Sequence, residues 1–241
     1  MTKDINEDKK NAITDSALAL VQSASLTRLV AEAVEKMILS GEVLPGSKLN
    51  EMHIADRLGV SRGPLREAFR LLEESGLIRQ EKNRGAFVRE IDIEEASDIY
   101  EVRTGLDATA GYLLAPCITT EQINTLRSLI IQMQKAALTI DVDSFHHLNL
   151  TFHDQIIVMT GNRCLLETYR RLVKLLTLFR RRNLLAPHAI PAFADEHAAI
   201  VDALAEHNAN LAARLMREHA EGGRQRMLKM QINQCADSLR V

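Results

Sequence analysis

Apolar residues recur with helical spacing along most of the chain and with strand-like spacing in one short stretch. They recur every three or four positions over Leu26–Ser40, and two shorter helical patterns follow over Glu51–Leu58 and Leu65–Leu72. The stretch Leu77–Arg89, with a polar turn at Glu81–Arg84, favours a β-hairpin instead. Three short helices followed by a hairpin predict a winged helix-turn-helix over residues 26–90.

Only helical patterns occur after Asp92. They are interrupted at Pro116–Cys117, Ile140–Asp143, Thr160–Asn162, Ala186–Pro191 and His207–Asn210. These interruptions predict a six-helix antiparallel bundle over residues 92–235, so the fold class is mostly α. Residues 1–25 lack a long periodic pattern and are predicted to form a flexible arm with a short helix near Asp15–Val21.

Composition agrees with two helical domains and excludes several classes of protein. Hydrophobic residues make up 46% of the chain and aromatic residues 4%, which favours helix over sheet. The net charge of -2 argues against a protein that coats nucleic acid through bulk positive charge. Three widely spaced cysteines predict neither a disulfide framework nor a cysteine-based zinc site. No secretory signal or membrane span is expected, so the protein is predicted to be cytoplasmic.

The predicted helix-turn-helix carries recognisable helix boundaries. Asn50 is predicted to cap the second helix, Gly59 to permit a tight turn, and Ser61 to cap the third helix. Pro64 falls in the first turn of the third helix, where a missing backbone N–H breaks no hydrogen bond.

The third helix presents arginines on the side away from its apolar stripe. Arg62, Arg66 and Arg70 share this side, and Arg84 and Gly85 lie at the predicted wing. Arginine at the start of such a helix can bond guanine O6 and N7 in the major groove. A solvated face is the alternative interpretation of three arginines taken alone.

The run GEVLPGSKLNEMHIADRLGVSRGPLREAFRLLEESGLIRQEKNRGAFV resembles the DNA-binding domain of the GntR family of regulators. The resemblance implies that Ser61, Arg62 and Arg66 contact DNA, that Gly63 closely approaches the DNA backbone, and that Gly85 lies at the wing together with Arg84. Met52 stands where some relatives carry a DNA-contacting arginine, so no role is inferred for it.

Histidines occupy inward-facing positions in the predicted bundle. His153, His197 and His219 fall on three helices, and Asn149 lies four residues before His153. Neutral imidazoles with one oxygen donor suit a divalent ion, with zinc first and nickel or manganese as alternatives. Each histidine could instead merely hydrogen-bond a neighbouring group.

The first helix of the bundle is predicted to bury an apolar stripe formed by Ile99, Val102, Leu106, Ala110 and Leu113. Arg103 lies beside this stripe. It either pairs with Asp107, four residues on, or clamps a carboxylate or phosphate inside the bundle.

The segments YEVRTGLDATAGYLLA, FHDQIIVMTGN, DEHAAIVDALAEHN and AARLMREH resemble the effector-binding FCD domain of FadR-type GntR regulators. Six helices resemble the VanR-type subgroup. The resemblance implies metal ligands at Asn149, His153, His197 and His219 and an effector-binding arginine at Arg103. The first ligand of that pattern is commonly Asp, so Asn149 is a departure that weakens the attraction for a dication.

The two resemblances imply a homodimeric transcriptional regulator, with repression expected. It would bind palindromic operator DNA, sense a small organic acid beside the metal, and lie away from any membrane. One alternative is a DNA-binding protein whose helical domain only dimerises or binds its ligand without metal. Another is a metallohydrolase with Glu196 as its base, although no hydrolase motif accompanies that residue.

Overall fold

The computed structural model describes residues 24–183 and 193–238. The chain divides into two compact units, Met1–Glu90 and Ile91–Val241, which are described separately below. The predicted arm, residues 1–25 with a short helix near Asp15–Val21, lies outside the described residues apart from residues 24–25. The predicted break at Ala186–Pro191 also lies outside them. The prediction of a mostly helical fold with a small hairpin is confirmed.

The first unit is a winged helix-turn-helix. Its elements are α1 (described residues 24–39), α2 (Glu51–Leu58), α3 (Arg62–Glu74), β1 (Ile78–Glu81) and β2 (Gly85–Val88). The strands pair antiparallel, with Ile78 opposite Val88 and Glu81 opposite Gly85. A further bridge between Lys48 and Phe87 ties the segment before α2 to the hairpin.

The turn between α2 and α3 fixes their relative orientation. The Asn50 side chain accepts hydrogen bonds from the backbone N–H groups of Met52 and His53, as the sequence predicts. Gly59 ends α2 with φ 64°, a left-handed conformation that glycine adopts without strain. Ser61 occupies the cap position of α3, but its side chain makes no capping hydrogen bond, so that part of the prediction is wrong.

The buried apolar stripe of α1 is shorter than the one predicted from Leu26 onward. Val34 and Ile38 are fully buried, whereas Leu29 is 58% exposed and Leu26 is also exposed. The buried residues of α1 begin at Val30 and continue to Ile38. The first turns of α1 therefore extend past the described core of the unit.

The second unit contains six helices among its described residues. They are α4 (Ile93–Leu114), α5 (Thr120–Leu138), α6 (Val142–Met159), α7 (Arg163–Asn183), α8 (Phe193–Ala205) and α9 (Ala209–Ser238). Side chains of Asp92, Thr119 and Asp141 cap the first three of these helices. None of the helices described in either unit has the length and hydropathy needed to cross a bilayer.

The helix α4 buries a different face from the one predicted. Ile99 and Ala110 are buried as expected, but Val102 is 56% exposed and Leu113 is exposed too. The interior side of α4 carries Arg103 and Asp107 instead. The prediction failed because it placed the helix by its apolar residues, whereas the structure turns polar residues of α4 toward the interior.

Helix α4 packs closely on α9 because Gly111 has no side chain. A Cβ atom built on Gly111 would lie 2.8 Å from the carbonyl oxygen of Ala212, which is backbone and cannot rotate away. We expect Gly111→Ala to lower the free energy of unfolding by about 1–3 kcal/mol. Thermal and urea unfolding followed by circular dichroism measures this loss.

The control for this substitution is Gly223→Ala, which adds the same atom to α9. That Cβ would meet the Tyr100 ring at 3.5 Å, an ordinary contact distance. Since alanine also favours helix, no destabilisation is expected. Equal losses in the two variants would contradict the proposed steric basis at Gly111.

Candidate functional site

The start of α3 presents an exposed set of polar groups in the first unit. Ser61, Arg62 and Gly63 are all exposed, and Arg62 is the first helical residue. The hydroxyl of Ser61 is not used in capping, so it remains available together with the backbone N–H groups of the first turn. Such a helix start suits the phosphate of a nucleic acid, with Arg62 placed beside it.

Two other arginines of α3 are held by neighbours within the unit. Arg66 Nε lies 2.9 Å from Glu51 Oε2, and Arg70 Nη1 lies 2.9 Å from Glu67 Oε1. Exposed ion pairs of this kind contribute only ~0–1 kcal/mol. A phosphate group can therefore compete with Glu51 for Arg66.

The hairpin forms a basic wing. The guanidinium groups of Arg79 and Arg84 lie 5.6 and 5.5 Å from the centre of the Phe87 ring, and Arg84 also contacts Glu81. Gly85 has φ 98°, which favours glycine, and a Cβ there would meet Lys48. Sequence reasoning missed Lys48 and Arg79, although alternation along β1 could have placed Arg79 on the solvent side.

Three imidazoles converge inside the second unit. His153 lies on α6, His197 on α8 and His219 on α9, and all three are buried. Nitrogen atoms from the three rings lie within 4.8 Å of one another. His153 Nε2 and His219 Nε2 lie 3.0 Å apart. Helical spacing placed each histidine inward, and the packing of α6, α8 and α9 brings them to one point.

The donor set suits a divalent metal ion. Burial, and then the positive charges nearby, lower the pKa of His153 well below its usual value, which keeps the imidazole neutral, as ligation requires. One turn earlier on α6, the buried Asn149 Oδ1 atom has no hydrogen-bond partner among the described residues. Buried polar oxygens are rarely left without a partner. An unpaired oxygen one helical turn before His153 is therefore a candidate fourth ligand.

The Nδ1 side of the His219 ring, away from His153, contacts a carboxylate. Its Nδ1 atom lies 2.7 Å from Glu196 Oε2, and Arg226 donates to both Glu196 oxygens at 3.1 and 3.3 Å. Although partial burial opposes ionisation, hydrogen bonds from His219 and Arg226 lower the pKa of Glu196 to about 2. A carboxylate so acidic and already paired is a poor general base, which removes the support for a hydrolase.

Arg103 is buried between two aromatic rings and beside an acid. Its guanidinium lies 5.7 Å from the Tyr100 ring centre and 5.5 Å from that of Tyr169. Arg103 Nε is 3.0 Å from Asp107 Oδ2, although the N–H direction does not meet hydrogen-bond geometry. The predicted pair with Asp107 therefore forms, inside the bundle rather than on its surface.

Asp107 links the arginine to the imidazole cluster. Its other oxygen, Oδ1, lies 3.9 Å from His153 Nδ1, and neither atom has a hydrogen bond to any described residue. Burial raises the pKa of Asp107. The Tyr169 hydroxyl is likewise buried without a partner among these residues. Several buried polar groups near Arg103 and His153 thus lack hydrogen-bond partners. This is typical of a binding site in which the ligand supplies the missing hydrogen bonds.

Comparison with known proteins identifies two family models along the chain. Residues 26–88 match the model described as bacterial regulatory proteins, gntR family, and residues 98–222 match the FCD domain. The FCD match alone spans more than half of the chain. The two matches fall within the first and the second unit respectively.

Two curated relatives match about three quarters of the chain. The chain is 28% identical over 187 residues to the HTH-type transcriptional regulator YdhC of Bacillus subtilis, which covers 77% of this chain and 84% of that protein. It is 27% identical over 181 residues to the HTH-type transcriptional repressor RspR of Escherichia coli, covering 74% and 78%. These relatives are transcriptional regulators rather than enzymes.

A solved structure shares the fold. Escherichia coli McbR/YncC matches with a TM-score of 0.73 and 19% identity, covering 85% of this chain and 97% of that one. At this identity the likeness concerns the fold alone.

Proposed function

Because the chain belongs to the GntR family of bacterial regulatory proteins and carries an FCD domain, we propose that it is a homodimeric repressor controlled by a small organic acid. It binds operator DNA in the cytoplasm through the first unit and senses the acid through the second. The sensory half of the proposal rests on the buried cluster of His153, His197 and His219. The unpaired Asn149 oxygen, one turn before His153 on α6, supports it.

The proposed DNA contacts are of two kinds, to base edges and to the sugar-phosphate backbone. Arg62 reads a base edge from the start of α3, while Ser61 and Arg66 bind phosphates. Gly63 lets the helix start come close to the DNA backbone, and Arg84 and Gly85 bring the wing to the adjacent groove. The exposure of Arg62 and the unused Ser61 hydroxyl support these roles.

The metal would be held by Asn149, His153, His197 and His219. Zinc suits this mixed nitrogen and oxygen set, and nickel or manganese are alternatives. When bound, the ion supplies a positive centre to which the carboxylate of an acid can coordinate. A neutral amide oxygen is a weaker donor than the carboxylate common at this position. We therefore expect a lower metal affinity than a site with that carboxylate would have.

Arg103 is the proposed clamp for the acid. Its ion pair with Asp107 has poor hydrogen-bond geometry, so a carboxylate of the effector can take a better bidentate position on the guanidinium. The rings of Tyr100 and Tyr169 hold the guanidinium in place on two sides. The acid controls DNA binding only if it binds the DNA-competent and the released arrangements with different affinities.

A palindromic operator requires two copies of the chain, since one recognition helix covers only a few base pairs. Val102, Tyr112 and Leu113 are exposed on one side of α4. An exposed apolar patch of this kind is a candidate interface between copies. We assign the dimer contact to this side of α4.

The proposed function is tested by thermal unfolding across a panel of organic acids, with and without a metal chelator. An effector raises the melting temperature by binding the folded state, and the chelator is expected to reduce that increase. Stabilisation that the chelator does not alter would favour a ligand site without metal. If no acid stabilises the protein, a helical domain that only dimerises becomes the better account.

Arg62→Ala is expected to weaken binding to an operator selected from random duplexes. Loss of one base contact costs ~1–3 kcal/mol and relaxes specificity at that base pair. Gel-shift titration of both proteins measures it. Arg28→Ala, which removes the same charge from an exposed pair with Glu32 on α1, serves as control and should have little effect. Unchanged affinity in the Arg62 variant would exclude the assigned contact.

Asn149→Asp is expected to tighten zinc binding, since a carboxylate adds a negative charge to the donor set. A gain of about tenfold or more, or ~1.4 kcal/mol, is expected in competition with a chromophoric chelator. Asn208→Asp makes the same change at the exposed cap of α9 and should leave affinity unaltered. Equal affinities of Asn149→Asp and the wild type would show that position 149 is not a ligand.

The double variant Val102→Asp, Leu113→Asp is expected to dissociate the dimer, because like charges would meet across an apolar contact. Light scattering after size-exclusion chromatography reports the mass. Leu138→Asp, at a position that is 85% exposed in α5, is the matched control and should remain dimeric. A dimeric double variant would place the contact elsewhere.

A further inference from the structure

Two adjacent glycines lie in the middle of α9, where they weaken the helix. Gly222 and Gly223 each cost about 1 kcal/mol of helix stability relative to alanine. Neither is at a turn or helix end, since α9 runs from Ala209 to Ser238. The space that each glycine leaves beside the helix therefore matters to what packs there.

Gly222 makes room for the guanidinium group of Arg226. A Cβ atom at position 222 would lie 3.1 Å from Arg226 Nη1 and 3.3 Å from Nη2, which is closer than comfortable contact. His219, Gly222 and Arg226 are spaced three and four residues apart, so they lie on one side of α9. The side chain of Arg226 therefore runs over Gly222 toward His219.

Glu196 of α8 contacts both His219 and Arg226. It accepts hydrogen bonds from both terminal nitrogens of Arg226, and its Oε2 atom lies 2.7 Å from His219 Nδ1. A carboxylate at Nδ1 holds the proton on that nitrogen and leaves Nε2 unprotonated, as a metal ligand must be. In this structure His219 Nε2 points at His153 Nε2, within the cluster.

We propose that Arg226 and Gly222 are positioning residues for the metal ligand His219, acting through Glu196. Arg226 fixes the Glu196 carboxylate, the carboxylate fixes the orientation and tautomer of the imidazole, and Gly222 allows the guanidinium to reach its place. The inference rests on the proposed function only in that the cluster binds a divalent metal.

The sign of one effect separates positioning from simple electrostatics. Arg226 carries a positive charge close to a site for a dication, so its removal should tighten metal binding if charge alone mattered. If Arg226 acts by positioning, removing it weakens metal binding, because Glu196 and then His219 lose their fixed geometry. Partners of a ligating histidine typically change metal affinity by about 10–100-fold.

The experiment uses the full chain and zinc alone, titrated against a chromophoric chelator. Arg226→Met is expected to lower zinc affinity by about 10–100-fold, and Arg226→Lys, which keeps the charge but not the paired donors, to fall between it and the wild type. Gly222→Ala is expected to give a smaller loss even though alanine favours helix. Gly223→Ala is the matched control and should bind as the wild type does.

A second readout requires no metal. Long-range ¹H–¹⁵N spectra of the metal-free protein report the tautomer of each histidine, and His219 should carry its proton on Nδ1 in the wild type and in Gly223→Ala. In Arg226→Met we expect a mixture of tautomers at His219. Melting temperatures of the metal-free variants show whether each is folded, so a loss of fold cannot imitate the expected result.

The outcomes are distinct. If the wild type binds zinc and Arg226→Met binds it equally or more tightly, the positioning role is wrong and the proposed metal site stands. If Gly222→Ala binds zinc as the wild type does while Arg226→Met binds it more weakly, the role of the glycine is wrong and that of Arg226 stands. If the wild type binds neither zinc, nickel nor manganese, the metal site and this inference both fall.

Discussion

The second unit is organised around the burial of polar groups in a helical bundle. Arg103, Asp107, His153, His197 and His219 all have under a tenth of their surface exposed. Placing such groups in a medium of low polarity costs several kcal/mol each unless partners are supplied. Each surrounding helix contributes side chains that act as partners for these buried groups.

The partners come from different elements and are of unequal quality. Glu196 on α8 pairs with His219 Nδ1, and Arg226 on α9 donates to both oxygens of that carboxylate. Asp107 on α4, in contrast, meets Arg103 and His153 without a well-formed bond to either. The Glu196 side of the cluster is thus well supplied with hydrogen bonds, whereas the Asp107 side retains the capacity to bind a further group. An ion and an acid are the additions that the chemistry of these groups favours.

Much of the fold could be predicted because local patterns determine local structure. Five interruptions in the helical pattern divide the second half of the chain into the observed helices, apart from the break at Ala186–Pro191, which lies outside the described residues. Asn50 and Gly59 act as predicted because a cap and a left-handed turn depend on neighbouring residues alone. Val102 and Leu113 were misplaced because exposure depends on which side of α4 the other helices cover.

The sequence by itself determined the two modules, the element boundaries and the inward spacing of the histidines, since these follow from periodicity within one helix. Only the tertiary structure decided that Glu196, itself bonded by Arg226, contacts His219 and that Asp107 lies between Arg103 and His153. It also decided that Gly222 leaves room for a guanidinium group. These relations join residues on different helices or concern the room left beside a side chain. No periodic pattern records which helices meet or how closely, because packing of the whole bundle sets those distances.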